Sequence, residues 1–232
     1  MPAVECAPDD QSKGAVIVVH EAFGLTDHIA GVCQRFADVG WHAIAPAWFH
    51  RQGSPVVAYG DMAGAKECIG KLDADEIRTD FISTFDYLEA QGFDNDHIGV
   101  VGFCSGGTLA FYAATLREIG AAVTFYGAGV HEGRFGLPPL VELAPSMKSP
   151  WLGLYGDQDP TIPVEHVEAL RSSMDRRKHP AEIVQYPDAG HAFHCDARPD
   201  RYEPKAAEDA WSRTLTWMET FVGVARDPEQ IT

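Results

Sequence analysis

Cys104, His191 and two aspartates, Asp157 and Asp159, have the types and the order needed to make and break an acyl bond. A thiolate attacks a carbonyl carbon. An imidazole, with an ordinary pKa near ~6.5, takes the thiol proton and later delivers one to the leaving atom. A buried carboxylate holds the imidazole in one tautomer and stabilises its charged form. Cys104 lies in Gly102-Phe103-Cys104-Ser105-Gly106-Gly107, after the apolar, β-branched run His97 to Val101 and before the helix-prone stretch Thr108 to Ala114. This is G-x-S-x-G with cysteine in place of serine, the pattern of a nucleophile on a sharp strand-to-helix corner. Glycines flank it two positions away on each side because such a corner leaves no room for side chains there. The helix that follows points free N–H groups and its positive dipole end at the sulfur.

Alone, each residue has a plainer reading: a packing cysteine, an Asx turn, a histidine in a Gly-His turn. Their joint placement argues for more. Asp157 and Asp159 follow a run expected to be a strand, Trp151 to Tyr155, and His191 follows another, Ala181 to Tyr186. The order nucleophile, acid, histidine is that of α/β-hydrolases and not of the other triad scaffolds. Asp159 is the preferred acid, because Asp157 comes directly after the Gly156 turn and is suited to bonding its own loop. His20-Glu21-Ala22-Phe23-Gly24 forms the opposite wall, at the exit of the first long strand. One oxyanion donor in such a site is the N–H after the nucleophile, Ser105; the second comes from this early loop, with Ala22 as the candidate. Glu21 either rests solvated at the loop edge or stands near the sulfur, keeping the thiol neutral until substrate arrives or accepting its proton.

The elements that must position these residues alternate regularly. Ala15 to His20 reads as a strand buried on both faces. It is followed by a helix over His28 to Val39 with Asp27 as N-cap and Gly40 as the stop, and by a strand over Trp41 to Ala45 closed by Pro46. A short helix is expected near Met62 to Ile69, and a longer one over Ala74 to Ala90, capped by Asp73 with Glu76 as capping-box partner. Further strands are expected over Ala121 to Tyr126, Trp151 to Tyr155 and Ala181 to Tyr186. Helices are expected from Pro163 to about Arg176, and from Pro204 to Val222 with Trp211, Leu215, Met218 and Phe221 facing inward. This pattern predicts an α/β fold, a mostly parallel twisted sheet with helices on both faces and ligands outside the carboxyl ends of its strands.

At 232 residues the chain suits one domain, with residues 1–13 and 224–232 expected to be loosely ordered. A net charge of −16 disfavours nucleic acid and anionic membrane surfaces as partners, because no basic stripe is present to meet phosphates. Cys6, Cys33, Cys68, Cys104 and Cys195 are scattered and odd in number, which argues for unpaired thiols in a reducing cytoplasm. No segment approaches the ~20 apolar residues of a membrane span, and the first residues lack the basic and apolar regions of a signal peptide.

Together, His20-Glu21-Ala22-Phe23-Gly24-Leu25, Gly102 to Gly107, Asp159 and Gly190-His191-Ala192-Phe193 resemble the dienelactone hydrolase family, and the similarity runs from about Gly14 to Val222. The resemblance implies an α/β-hydrolase fold, a triad of Cys104, Asp159 and His191, and Glu21 as the carboxylate that activates or guards the thiol. It also implies hydrolysis of a lactone or ester through a thioester acyl-enzyme, without metal or organic cofactor, by a monomer, a dimer being the alternative. The leader before Gly14 is short for the family, so an edge strand is either missing or trimmed to about Pro2 to Cys6. Family members that act on dienelactone hold its carboxylate with two arginines, one of them four residues after the histidine, where this chain has Cys195. No arginine lies between Arg51 and Arg78, so Arg51, Arg78, Arg134, Arg198 and Arg201 are the available substitutes. The candidate pocket comprises Phe23, Trp48, Arg51, Tyr59, Arg78 and Tyr126, with Phe49 and Phe103 as further aromatics. Three other readings compete: a metal site at His191, His194, Cys195 and Asp196; a small-ligand receptor on the same scaffold without turnover; and thiol redox chemistry between Cys104 and Cys195.

Overall fold

The structure, a computed structural model, describes residues 1–174 and 178–223. Its centre is a sheet of strands buried from end to end: β2 (Ala15–Val19), β4 (Ile98–Phe103), β5 (Ala121–Phe125) and β6 (Trp151–Gly156). With β1 (Ala3–Cys6), β3 (His42–Pro46) and β7 (Ala181–Tyr186) they form seven strands in the order β1-β3-β2-β4-β5-β6-β7. All neighbours run parallel except β1, which lies antiparallel to β3. Of the two alternatives for the leader, the trimmed edge strand is present: Ala3–Cys6 is registered from Pro46 to Ala43, so a loose leader does not hold over those residues. The expected end near Arg176 of the helix that starts at Pro163, and the expected loose tail over 224–232, fall outside the described residues.

The two-residue period of the strands sends side chains to two apolar layers. Val16, Val18 and Val101 pack with α1 (Asp27–Asp38) and α7 (Pro204–Phe221). Ile17, Val19, Ile98 and Val100 pack with α3 (Ala74–Ala90) and α4 (Ser105–Leu116). The remaining helices are α2 (Met62–Gly70), α5 (Leu140–Leu143) and α6 (Val164–Ser173). The α/β-hydrolase architecture expected from the sequence is present.

Local chemistry corrects several boundaries. Thr26, not Asp27, caps α1, its hydroxyl accepting the Ile29 N–H. Asp27 is the first helical residue, where its charge meets the positive dipole end. Asp73 caps α3 through the Asp75 and Glu76 N–H groups, but the Glu76 carboxylate turns to Arg51 at 3.5 Å instead of closing a capping box. Pro163 stands just outside α6. The buried face of α7 is centred on Ala207, Ala210, Thr214 and Met218; Trp211, Leu215 and Phe221 flank it half-buried. At the other edge, α6 reaches over β7, where Arg171 donates to the Ile183 carbonyl at 3.0 Å.

Sheet order places the site. The chain moves from β2 to β3 on one side and then starts β4 on the other, so the loops leaving β2 and β4 diverge from adjacent strands. Such a switch point opens a crevice at the carboxyl ends of the strands. The β2 loop carries Glu21 and Ala22, and the β4 turn carries Cys104.

Candidate active site

Cys104 occupies the corner between β4 and α4 with φ 55° and ψ −116°, a conformation that costs a non-glycine residue of order 1–3 kcal/mol. The surroundings enforce it. A Cβ on Gly102 would collide with the Gly106 carbonyl, and one on Gly106 would collide with the Val19 and His20 carbonyls. The Cys104 N–H is tied to the Phe125 carbonyl at 3.1 Å, which leaves the half-buried thiol projecting from the corner.

His191 meets that thiol, with Nε2 3.1 Å from Sγ and Nδ1 2.6 Å from Asp159 Oδ2. The other oxygen of Asp159 accepts from the Thr161 N–H at 2.8 Å and the Thr161 hydroxyl at 2.7 Å. Burial alone would raise the Asp159 pKa, but His191 and Thr161 together hold it below the usual value. Burial opposes a charged His191 imidazole, yet the Cys104 sulfur and the Asp159 carboxylate on its two sides raise its pKa to about 10. Asp157 goes elsewhere, accepting from Gln185 Nε2 at 3.0 Å. Thr161 was not singled out from sequence, although its place two residues after Asp159 is the spacing of an Asx turn.

Glu21 is 2% exposed, and neither carboxylate oxygen has a hydrogen-bond partner. Burial raises its pKa, while His28, His191, Arg198 and the Cys195 thiol pull the other way. It is therefore no solvated loop carboxylate. Ala22 and Ser105 are buried, and among the described residues neither N–H is spent on another backbone oxygen.

The pocket candidates divide. Phe23 and Tyr59 meet edge to face at 4.8 Å, and Arg198 lies over both rings at 5.4 and 5.5 Å. Tyr126, held at φ 40°, sets its ring 5.2 Å from that of His191. The other candidates are corrected. Trp48 is buried against Phe81 at 4.4 Å, and Phe103 stacks on Phe125 at 4.7 Å, both within the core. Arg51 is clamped to Asp80 by two bonds of 2.6 and 2.9 Å, an anchor that a buried acid on α3 provides. Arg78 is exposed on α3, where its charge acts on Tyr112. Among the described residues Arg198 makes no ion pair, while its charge bears on Glu21, Tyr126 and Cys195.

The stretch considered for metal sends its side chains to separate partners. His191 meets Cys104 and Asp159, and His194 stacks on Phe103 at 5.2 Å. The Cys195 thiol donates to the Tyr59 hydroxyl at 3.6 Å, and Asp196 pairs with His28 at 2.7 Å. Cys104 and Cys195 are both unpaired thiols.

The chain is similar to known proteins along nearly its whole length. The model of the dienelactone hydrolase family matches residues 1–222. A Yersinia pestis protein provisionally named carboxymethylenebutenolidase is 37% identical, covering 98% of this chain and 86% of its own length. One of the same provisional name from Escherichia coli K12 is also 37% identical, over 96% of this chain and 83% of its own. A crystal structure from Klebsiella pneumoniae, provisionally a dienelactone hydrolase, superposes with TM-score 0.87 at 35% identity, covering 95% and 93% of the two chains. A dienelactone hydrolase-like promiscuous phosphotriesterase from metagenomic libraries gives TM-score 0.76 at 25% identity, covering 93% and 89%. This chain belongs to the dienelactone hydrolase family and is a hydrolase of the lactone and ester class.

Proposed function

We propose that the chain cleaves a lactone or activated carboxylic ester through a thioester on Cys104, with His191 as base and acid, Asp159 as its orienting carboxylate, and the Ala22 and Ser105 N–H groups as oxyanion donors. The observation that carries this reading is the unbroken line from Cys104 Sγ through His191 to Asp159, at 3.1 and 2.6 Å. The thiol proton passes to His191 Nε2, whose charged form Asp159 and the sulfur favour, and the sulfur bonds to the carbonyl carbon. The carbonyl electrons move to oxygen, which the two N–H groups receive. When the tetrahedral species collapses, the carbon–oxygen bond to the leaving group breaks and His191 gives that oxygen its proton. In a lactone the released hydroxyl stays on the same molecule. Water then attacks the thioester, passing a proton to His191, and the carboxylic acid departs as the thiol is restored. Glu21, buried and without a bonding partner, is assigned as a second acceptor for the thiol proton.

Arg198 supports a substrate bearing an anionic group. It is an arginine that makes no ion pair among the described residues, mounted on the apolar ring pair Phe23 and Tyr59, with its charge bearing on Glu21 and Tyr126. It lies seven residues after His191, beyond the family position that Cys195 occupies here.

The test is hydrolysis and intact-mass spectrometry on wild type and Cys104→Ala side by side, with a dienelactone, a neutral lactone and short aryl esters. Turnover by wild type alone, with an acyl mass on the protein during turnover, is expected. Equal activity in both proteins would remove Cys104 as the nucleophile. Binding by wild type with neither an acyl adduct nor turnover would favour a receptor.

A further inference from the structure

His20 is buried, and the acyl-transfer steps make no use of its side chain. Its ring makes two hydrogen bonds, both to main chain. The Trp48 N–H donates to Nε2 at 3.1 Å, so that nitrogen carries no proton. The proton of the neutral ring is therefore on Nδ1, which donates to the Glu21 carbonyl at 2.6 Å. Partners alone fix this tautomer. Phe49 packs edge-on to the ring at 4.8 Å, and burial brings the His20 pKa down to about 4, which keeps the ring neutral.

The Glu21 carbonyl and the Ala22 N–H are opposite ends of one peptide unit. That unit is planar and trans, so whatever fixes the direction of its oxygen also fixes the direction of its N–H. The Gly24 N–H reaches the same oxygen at 3.4 Å, a longer and weaker contact. The short bond from His20 is the stronger constraint, and it polarises the amide toward a better donor.

We propose that His20 is a positioning residue for the oxyanion site: its Nδ1–H aims the Ala22 N–H at the reacting carbonyl oxygen, and the Trp48 N–H holds the ring in the tautomer that does so. This rests on the reading of Ala22 as an oxyanion donor. A second consequence follows from the geometry. The loop leaving β3, through the Trp48 main chain, is coupled to the loop leaving β2 by a single imidazole, so the Trp48 backbone serves the site although its side chain lies in the core.

The experiment compares wild type, His20→Ala, His20→Asn and His20→Gln on an aryl ester and on its thiono counterpart, in which C=S replaces C=O. Sulfur is a poor hydrogen-bond acceptor, so the ratio of the two rates reports on the oxyanion donors. Asparagine places an N–H where Nδ1 stands. Glutamine reaches toward Trp48 but offers no donor at that point. The Ala and Gln variants are expected to lose about ten- to a hundredfold in kcat on the oxoester, less than removing a donor outright. KM should stay within about twofold and the thionoester rate should be nearly unchanged. His20→Asn is expected to recover most of kcat. Equal impairment of Asn and Gln on both esters, or activity that falls in step with thermal stability in all three, would reduce His20 to a scaffold residue and overturn the proposal. Failure of the underlying reading has a different mark: wild type would then prefer the oxoester no more than a free thiol does, and the role assigned to His20 would disappear with it.

Discussion

Replacing Asp159 by asparagine separates the two aspartates that the sequence leaves as alternatives. The carboxylate is 1% exposed and stands 2.6 Å from the His191 ring, which is 20% exposed. At an effective dielectric of about 20, unit charges at that separation interact by roughly 6 kcal/mol. Asparagine keeps the shape and a neutral hydrogen bond, worth about 1 kcal/mol, and loses the charge. A net loss of about 4–5 kcal/mol of support for the imidazolium converts to three to four decades in kcat. Because Asp159 is one of the groups that raise His191 to about 10, the alkaline limit of activity should also move to lower pH. Asp157→Asn disturbs only the contact with Gln185 and should stay within about twofold of wild type. The assay is steady-state hydrolysis of an aryl ester from pH 5 to 11 on the three proteins, with thermal unfolding as the control for folding. A drop of less than about tenfold for Asp159→Asn, or a larger drop for Asp157→Asn, would refute the orienting role.

Three further outcomes follow from the same geometry. Gly106→Ala drives a methyl group into the Val19 and His20 carbonyls; a loss of about 3 kcal/mol, or roughly 6–12 °C in Tm, is expected by circular dichroism. Arg198→Ala should raise KM about ten- to a hundredfold for an anionic lactone or ester and leave neutral esters unchanged in parallel kinetics, since a single charge-assisted contact is removed. The His20 pKa falls on folding from 6.5 to about 4, so its neutral form contributes stability that is complete above pH 6.5 and is lost as pH falls through 4. Up to about 3 kcal/mol is involved, and urea unfolding at pH 7, 5 and 4 should show a shallower loss for His20→Asn than for wild type.

The fold was legible because its strands and helices carry strong local signals. The Asp73 cap marks the start of α3 at Ala74–Ala90, and the β-branched run before Cys104 reads as the buried strand that β4 is. The proximity of Cys104, Asp159 and His191 was legible too, since chain order at successive strand exits constrains what meets at the edge of a parallel sheet. Other features depend on contacts between distant segments, which no local pattern records. Trp48 and Arg51 occupy a loop that looks like a pocket wall, yet Phe81 and Asp80 of α3 draw both side chains away from the nucleophile. Arg198 was one substitute among five until the structure set it over Phe23 and Tyr59. The role inferred for His20 arises from which main-chain atoms its ring touches, a matter of tertiary structure alone.

The two rims of the sheet bear on how this protein behaves when crowded. Exposed strand edges are templates on which other chains can polymerise. Here one rim ends in a four-residue strand of reversed direction, whose Glu5 carboxylate is bonded to His42 and Tyr87. On the other, Arg171 already occupies the Ile183 carbonyl, and Glu182 faces Arg213. Brevity and charge thus guard both margins against fibrous growth, and the central strands can remain almost wholly apolar without making the molecule adhesive.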